Sequence, residues 1–310
     1  MRRKDFLKAI TLAGTTAALG QFGSVNVLAQ TENKEKGGAD LVAVMNGEPD
    51  VMFQKAIAEL GGIEKYVKSG QKVVIKPNIG WDKAPEYAAN TNPILVKEMV
   101  KQCLAAGAKE VVVFDNTCDD WKKTYKNSGI EDAVLEAGGK ILPGNLESYY
   151  QEVDIPNGVV LKKAKIHNAI LNCDVWFNVP ILKTHSGALM TISLKNYMGI
   201  VWDRQFFHRA DLQQCIADIG THSKRPVLNV VDSYRLMKAN GPRGRSLEDA
   251  VLTKALFVSP DIVAADTAAV KFFNQVAEMP LDKVTHIAKA EALKLGTTNL
   301  DKLIIKRIKV

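Results

Sequence analysis

The chain of 310 residues is 46% hydrophobic and 24% charged, which excludes a disordered or collagen-like polymer and supplies apolar material for one large domain or two small ones. Its formal charge of +7 is inflated by the N-terminus: four of the 41 bases and one of the 34 acids fall within residues 1–29, which leaves an excess of four. That mild surplus suits a small anionic ligand, and without a basic block interleaved with aromatics it gives no argument for nucleic acid.

Arg2, Arg3, Lys4 and Lys8 make a basic start, an apolar small-residue run follows from Ala9 to Gly20, and Val27-Leu28-Ala29 precedes Gln30. This order is that of a secretory signal peptide over residues 1–29. Arg3-Lys4-Asp5-Phe6-Leu7-Lys8 is similar to a twin-arginine export signal, although the arginine pair sits one residue early. The twin-arginine and general secretory routes both stay open. The expected location is periplasmic, with an N-terminal membrane tether if the segment is not removed. The apolar run is shorter than the ~20 residues a span needs, and no transmembrane span is expected in the mature chain. Residues 30–40 are polar and Gly-containing and read as a linker to a fold over residues 41–310.

Leu41 to Met45 is a first strand, and Val51 to Leu60 a helix stopped by Gly61-Gly62. Lys72 to Lys76 is a β-branched strand ended by Pro77-Asn78. Thr91 or Asn92 caps a helix with Pro93 in its first turn, whose apolar positions fall on one face. Gly107 ends that helix, and Glu110 to Phe114 is the next strand, ended by Asp115. Strand, helix, strand makes a right-handed βαβ unit. Helices are expected over Ile130–Ala137, Ile166–Leu171, Leu212–Ile219 and Asp261–Phe273. Strands are expected over Val175–Val179, Val227–Val231 and Leu303–Val310. The fold class is α/β, a mostly parallel sheet flanked by helices, and Leu142-Pro143-Gly144-Asn145 marks a place where two lobes with a cleft between them can divide.

Polar residues collect where strands end, which is where open parallel sheets hold ligands. Lys76 and Asn78 follow one strand, Asp115 a second, Lys183, Thr184 and His185 a third, and Asp232 a fourth. The stretch Thr191–Gly199 adds Lys195 and Asn196. Lys76, Lys183 and Lys195 are expected to hold an anion, with Asn78, Thr184 and Asn196 completing the binding set. His185 is the candidate proton-transfer group, with Asp115 or Asp232 setting its tautomer. Asp115 and Asp232 are equally readable as helix caps. Asn240-Gly241-Pro242-Arg243-Gly244-Arg245 is a basic turn able to lie over a negative ligand. Cys103, Cys118, Cys173 and Cys215 form no C-x-x-C pair, no spacing demands a metal, and no dinucleotide, Walker or nucleophile-elbow motif is present. The cofactor is left unknown.

Val74-Ile75-Lys76-Pro77-Asn78, Thr91-Asn92-Pro93, the run Cys173 to His185, Ser193 to Gly199 and Ser259 to Asp266 together resemble the domain-of-unknown-function 362 family. The resemblance covers most of the chain after residue 40. Family members often carry a ferredoxin-like iron–sulfur module, whose cysteine run this sequence lacks. The family is also distantly similar to lactate-racemase-type proteins, a pointer to small carboxylates. The resulting expectation is an exported protein that binds a small anion in a strand-end cleft and acts on it by acid/base chemistry. The alternative is a non-catalytic periplasmic accessory or redox partner that uses a bound cofactor or metal.

Overall fold

The β-branched runs of the sequence become the middle of one ten-stranded sheet in a computed structural model that describes residues 38–310. The expected export segment, and the linker up to residue 37, lie outside the described residues. The strands are β1 (Leu41–Met45), β2 (Lys72–Pro77), β3 (Glu110–Val113), β4 (Lys140–Ile141), β7 (Val175–Val179), β8 (Ile181–His185), β9 (Leu189–Thr191), β10 (Leu228–Met237), β11 (Ala250–Ser259) and β12 (Ile305–Lys309). Their order is β12-β1-β11-β10-β7-β2-β3-β4, with β8 on the outer half of β10 and β9 beyond it. Pairing is parallel except where β11 meets β1 and β10 and where β9 meets β8. The sheet draws strands from both sides of residue 145.

A strand buried on both faces sends alternate side chains into different cores. In β2, Val73 and Ile75 pack with helices α1 (Pro49–Glu59) and α2 (Pro93–Ala105). Val74 joins the opposite core, with Trp176 from β7 and Phe257 from β11. Lys76 continues that second parity and is forced inward with it. Helix α2 begins where the side chain of Asn92 accepts the N–H of Ile94 at 2.9 Å, with Pro93 in the first turn, and Leu95, Val96, Met99, Val100 and Cys103 are buried. Next along the chain are α3 (Trp121–Asn127) and α4 (Ile130–Glu136).

Three expected elements come out differently. The helix expected over Ile166–Leu171 loses its first two residues to strand β6 (Lys163–His167), paired antiparallel with β5 (Tyr150–Asp154) in a separate two-stranded sheet. The reason is the strand's period of two: Ala164 and Ile166 are buried while Lys163 is exposed. The helix there, α5 (Asn168–Asn172), starts only after His167 accepts the N–H of Ala169. The strand expected to stop at Val231 runs on to Met237, because β11 pairs along its whole length past a bulge between Ser233 and Arg235. Pro180 interrupts the chain without ending the sheet. The carbonyl of Pro180 accepts the N–H of Asp232 at 2.9 Å, and β8 resumes on the long β10. Helices α6 (Ser193–Asn196), α7 (Arg204–Arg209), α8 (Leu212–Ile219), α9 (Ile262–Phe273) and α10 (Thr285–Ala292) complete the fold. Among the described residues, no helix is long and apolar enough to cross a membrane.

Candidate functional site

Beyond the C-terminal ends of β2 and β3 lies a cleft of about 60 Å³. Its floor is built on Lys76, which is fully buried. The register that sets Ile75 beside Val113 brings Asp115 alongside, and Lys76 Nζ stands 2.9 Å from Asp115 Oδ1. That oxygen takes no aligned hydrogen bond, so the contact is a charge pair. Asp115 Oδ2 accepts the N–H of Ile79 at 2.7 Å. Asn196, from α6, spends its whole amide here. Its Oδ1 accepts from Lys76 Nζ at 2.8 Å and from Asn78 Nδ2 at 3.0 Å. Its Nδ2 donates to Asn178 Oδ1 at 2.8 Å and to the Lys76 carbonyl at 3.2 Å.

Strand β8 then contributes two walls. Lys183 and His185 share a parity and face the cleft; Thr184, between them, faces away and accepts the N–H of Gly241 at 3.1 Å. Lys183 Nζ donates to Asn78 Oδ1 at 2.9 Å and to the Ala89 carbonyl. His185 Nδ1 accepts the N–H groups of Gly187 and Ala188, both at 3.1 Å. Those two amides hold Nδ1 as an acceptor and leave the neutral ring's proton on Nε2. No carboxylate pairs with His185 among the described residues, so backbone amides set its tautomer. Lys195 is half-buried, lines the cleft, and has no hydrogen-bond or ion-pair partner among the described residues.

Asp232, the other expected partner of His185, does not line the cleft. Its Oδ2 accepts the N–H of Asn92 at 2.7 Å and its Oδ1 that of Tyr234 at 2.9 Å. It ties the start of α2 to β10, and burial pushes its carboxyl up to about 6.

Several contributors had no signal in the sequence. Arg204, at the start of α7, donates to the carbonyls of Asn116 and Thr117, both at 2.8 Å, and so brings an uncompensated guanidinium to the rim. Its shortest contacts are to backbone oxygens, which leave no residue-type signature, with a longer one to Asn116 Oδ1 at 3.3 Å. Gly199 passes so close to Lys76 and Asp115 that a Cβ there would collide with both head groups. The basic turn that the sequence did single out reaches the mouth through Pro242, which lines it beside Trp81, and its Arg243 lies over the Trp81 ring, 5.7 Å from the centroid. Cys118 is exposed at the mouth, and its Sγ lies 3.6 Å from Arg204 Nη1; the other three cysteines are buried.

The charge environment is one-sided. Burial pulls Lys183 down to about 7, and the Lys195 and Lys76 ammoniums push the same way. Burial, reinforced by Arg204, brings Lys195 down to about 8. Lys76 is also lowered, because burial outweighs the Asp115 carboxylate. His185 is driven down to about 2 by burial and by Lys195 and Lys183, so its ring stays neutral at every physiological pH. Among the described residues, no group of three or more His, Cys, Asp or Glu side chains has a metal-holding arrangement. A larger groove of about 510 Å³ runs between β6 and α7, lined by Trp202, Phe206 and Lys163 among others. It has no buried titratable group, so the chemistry points to the smaller cleft.

A parallel-rich α/β sheet that gathers buried lysines and asparagines beyond its central strand ends defines the class: an α/β protein with a cationic strand-end cleft. The chain belongs to the family described as domain of unknown function DUF362, which matches residues 73–271, a span that includes every residue lining the cleft. It is 25% identical over 246 residues to the thylakoid-associated protein sll1697 of Synechocystis sp. (strain ATCC 27184 / PCC 6803 / Kazusa), covering 77% of this chain and 73% of that one. Among solved structures it is similar to the lactate racemase apoprotein from Thermoanaerobacterium thermosaccharolyticum, with a TM-score of 0.49 and 12% identity over 76% of this chain. The match spans 57% of that protein's length.

Proposed function

We propose that the cleft binds a small anion and acts on it as an enzyme by proton exchange. The observation that carries this reading is Lys195. It is an ammonium without a partner among the described residues, in a cleft whose one lining carboxylate, Asp115, is committed to Lys76. Lys195 and Arg204 are left as surplus positive charge. A cavity of about 60 Å³ restricts the ligand to a few heavy atoms. Asn78 and Asn196 orient it, and His185 donates from Nε2–H. Lys183 and Lys195 are the groups that change protonation close to neutral pH.

The test is thermal shift over a panel of small carboxylates and inorganic phosphate. A charge-assisted hydrogen bond contributes about 1.5–3 kcal/mol, so Lys195→Met is expected to weaken any hit roughly tenfold to a hundredfold. Lys195 is charged below a pH of about 8, so affinity should hold at lower pH and fall as pH rises past that point. A hit that binds Lys195→Met as tightly as the parent protein rules this assignment out.

We also propose that the chain is exported and cleaved after Ala29, on the basic, apolar and small-residue order of residues 1–29. Intact mass of the protein recovered from its own host is expected to place the first residue at Gln30. A cytoplasmic chain that retains Met1 contradicts the proposal.

A further inference from the structure

The three cleft lysines are held in three different ways, and the difference sorts their chemistry. Lys76 has a carboxylate and an amide oxygen, the partners of an ammonium. Lys195 has none, the state of an ammonium that awaits an anion. Lys183 has two acceptors, the Asn78 amide oxygen and the Ala89 carbonyl, while its side chain is 1% exposed and lines the cleft. A neutral primary amine has two N–H donors and one lone pair; an ammonium has three donors. With two acceptors in place, the neutral amine is fully satisfied and has its lone pair left over for the cleft. The ammonium would keep one buried donor without an acceptor. Neighbouring cations and burial favour the neutral form, the arrangement that turns a lysine into a nucleophile.

We propose that Lys183 forms a Schiff base with a small oxo acid whose carboxylate rests on Lys195. This rests on the reading of the cleft as a small-anion site and names the substrate class. The Nζ lone pair attacks the carbonyl carbon, a C–N bond forms, and the carbonyl oxygen takes a proton from the Lys195 ammonium to give a carbinolamine. Nζ gives up one of its own protons, through solvent, to the hydroxyl; the C–O bond breaks, water leaves, and a protonated imine remains, while solvent restores the proton to Lys195. The sum is one carbonyl, one neutral amine and one proton converted to one iminium and one water, with no oxidant or reductant. His185 does not compete as a nucleophile or base, since Nδ1 is occupied by two backbone amides.

The experiment is reductive trapping of the full chain with glyoxylate or pyruvate and cyanoborohydride at neutral pH, followed by peptide mapping. Lys183 is expected to carry the reduced adduct roughly tenfold or more ahead of every exposed lysine, as a desolvated amine should. Lys183→Arg should lose that adduct, and Lys195→Met should slow it more for oxo acids, which lose both the carboxylate contact and the proton donor, than for acetone, which has no carboxylate and loses only the donor. Mapping the parent protein needs no variant, so the result stands even if Lys183→Arg does not fold. Adducts confined to exposed lysines, with Lys183 unlabelled, overturn the proposal. If an anion still stabilises the protein through Lys195 in that case, the binding site survives and the imine alone is lost.

Discussion

Asp115→Ala should lower stability by about 3–5 kcal/mol, the usual cost of removing one partner from a buried ion pair. Lys76 is fully buried, and Asp115 supplies its only counter-charge within 4 Å among the described residues. Asn196 offers the ammonium an amide oxygen but no charge. The same substitution strips the N–H of Ile79 of its acceptor. The measurement is the midpoint of urea unfolding with the slope held equal. A second variant separates charge from packing. Lys76→Met combined with Asp115→Leu removes both ions and fills the space with apolar atoms, so it should recover most of the lost stability. The recovered protein should still bind no anion, since the cleft floor is gone. If Asp115→Ala stays within about 1 kcal/mol of the parent, Lys76 is not held as a buried cation and the electrostatic account of the cleft fails.

Gly199→Ala is the second large effect, expected at about 3 kcal/mol or more with loss of the ligand response. The backbone dihedrals of Gly199 are ones any residue can adopt, so the cost is spatial. A methyl group there would overlap Asp115 Oδ1 together with Nζ and Cε of Lys76. None of these atoms is free to retreat: the carboxylate is held by Ile79, and the ammonium by Asn196. Gly199 is itself fixed, because its carbonyl accepts the N–H of Asn116 at 3.1 Å. Gly80 is the control, since it lines the same cleft and a Cβ there meets only Asn78 Oδ1, at an ordinary 3.7 Å. Gly80→Ala should leave stability and binding near those of the parent. Equal behaviour of the two alanine variants in unfolding and thermal-shift assays is incompatible with the close packing at Gly199.

Much of the sheet and most of the charged residues lining the cleft were legible because local and global signals agree. The β-branched runs at Lys72–Lys76, Glu110–Phe114 and Val175–Val179 are strands because both of their faces are buried, and Asn92-Pro93 starts a helix with its own side-chain cap. A parallel sheet then carries Lys76, Asn78, Asp115, Lys183, His185, Lys195 and Asn196 to one cleft. What was not legible depends on distant partners. Pro180 reads as a stop, yet β8 continues because a long β10 is there to receive it. Within β8, only that pairing shows that Thr184 turns away while its neighbours turn in. Asp232 follows a strand-like run as Asp115 does, but it binds two backbone amides outside the cleft. Arg204 and Gly199 act through backbone carbonyls and empty space, neither of which a residue pattern records.

The pairing of β1 with β11 and β12 carries a consequence for how the molecule is made. Leu41 lies beside Ile305, and Asp40 accepts the N–H of Ile304 across 264 residues of sequence. The strand closest to the start of the described chain therefore has no sheet partner until residues beyond Lys254 exist, and its outer neighbour, Ile305–Lys309, comes later still. On the ribosome it must wait until the chain past Lys254 has been made, while the βαβ unit around Lys76 has its neighbours early. Closing so long a loop is slow more than it is costly.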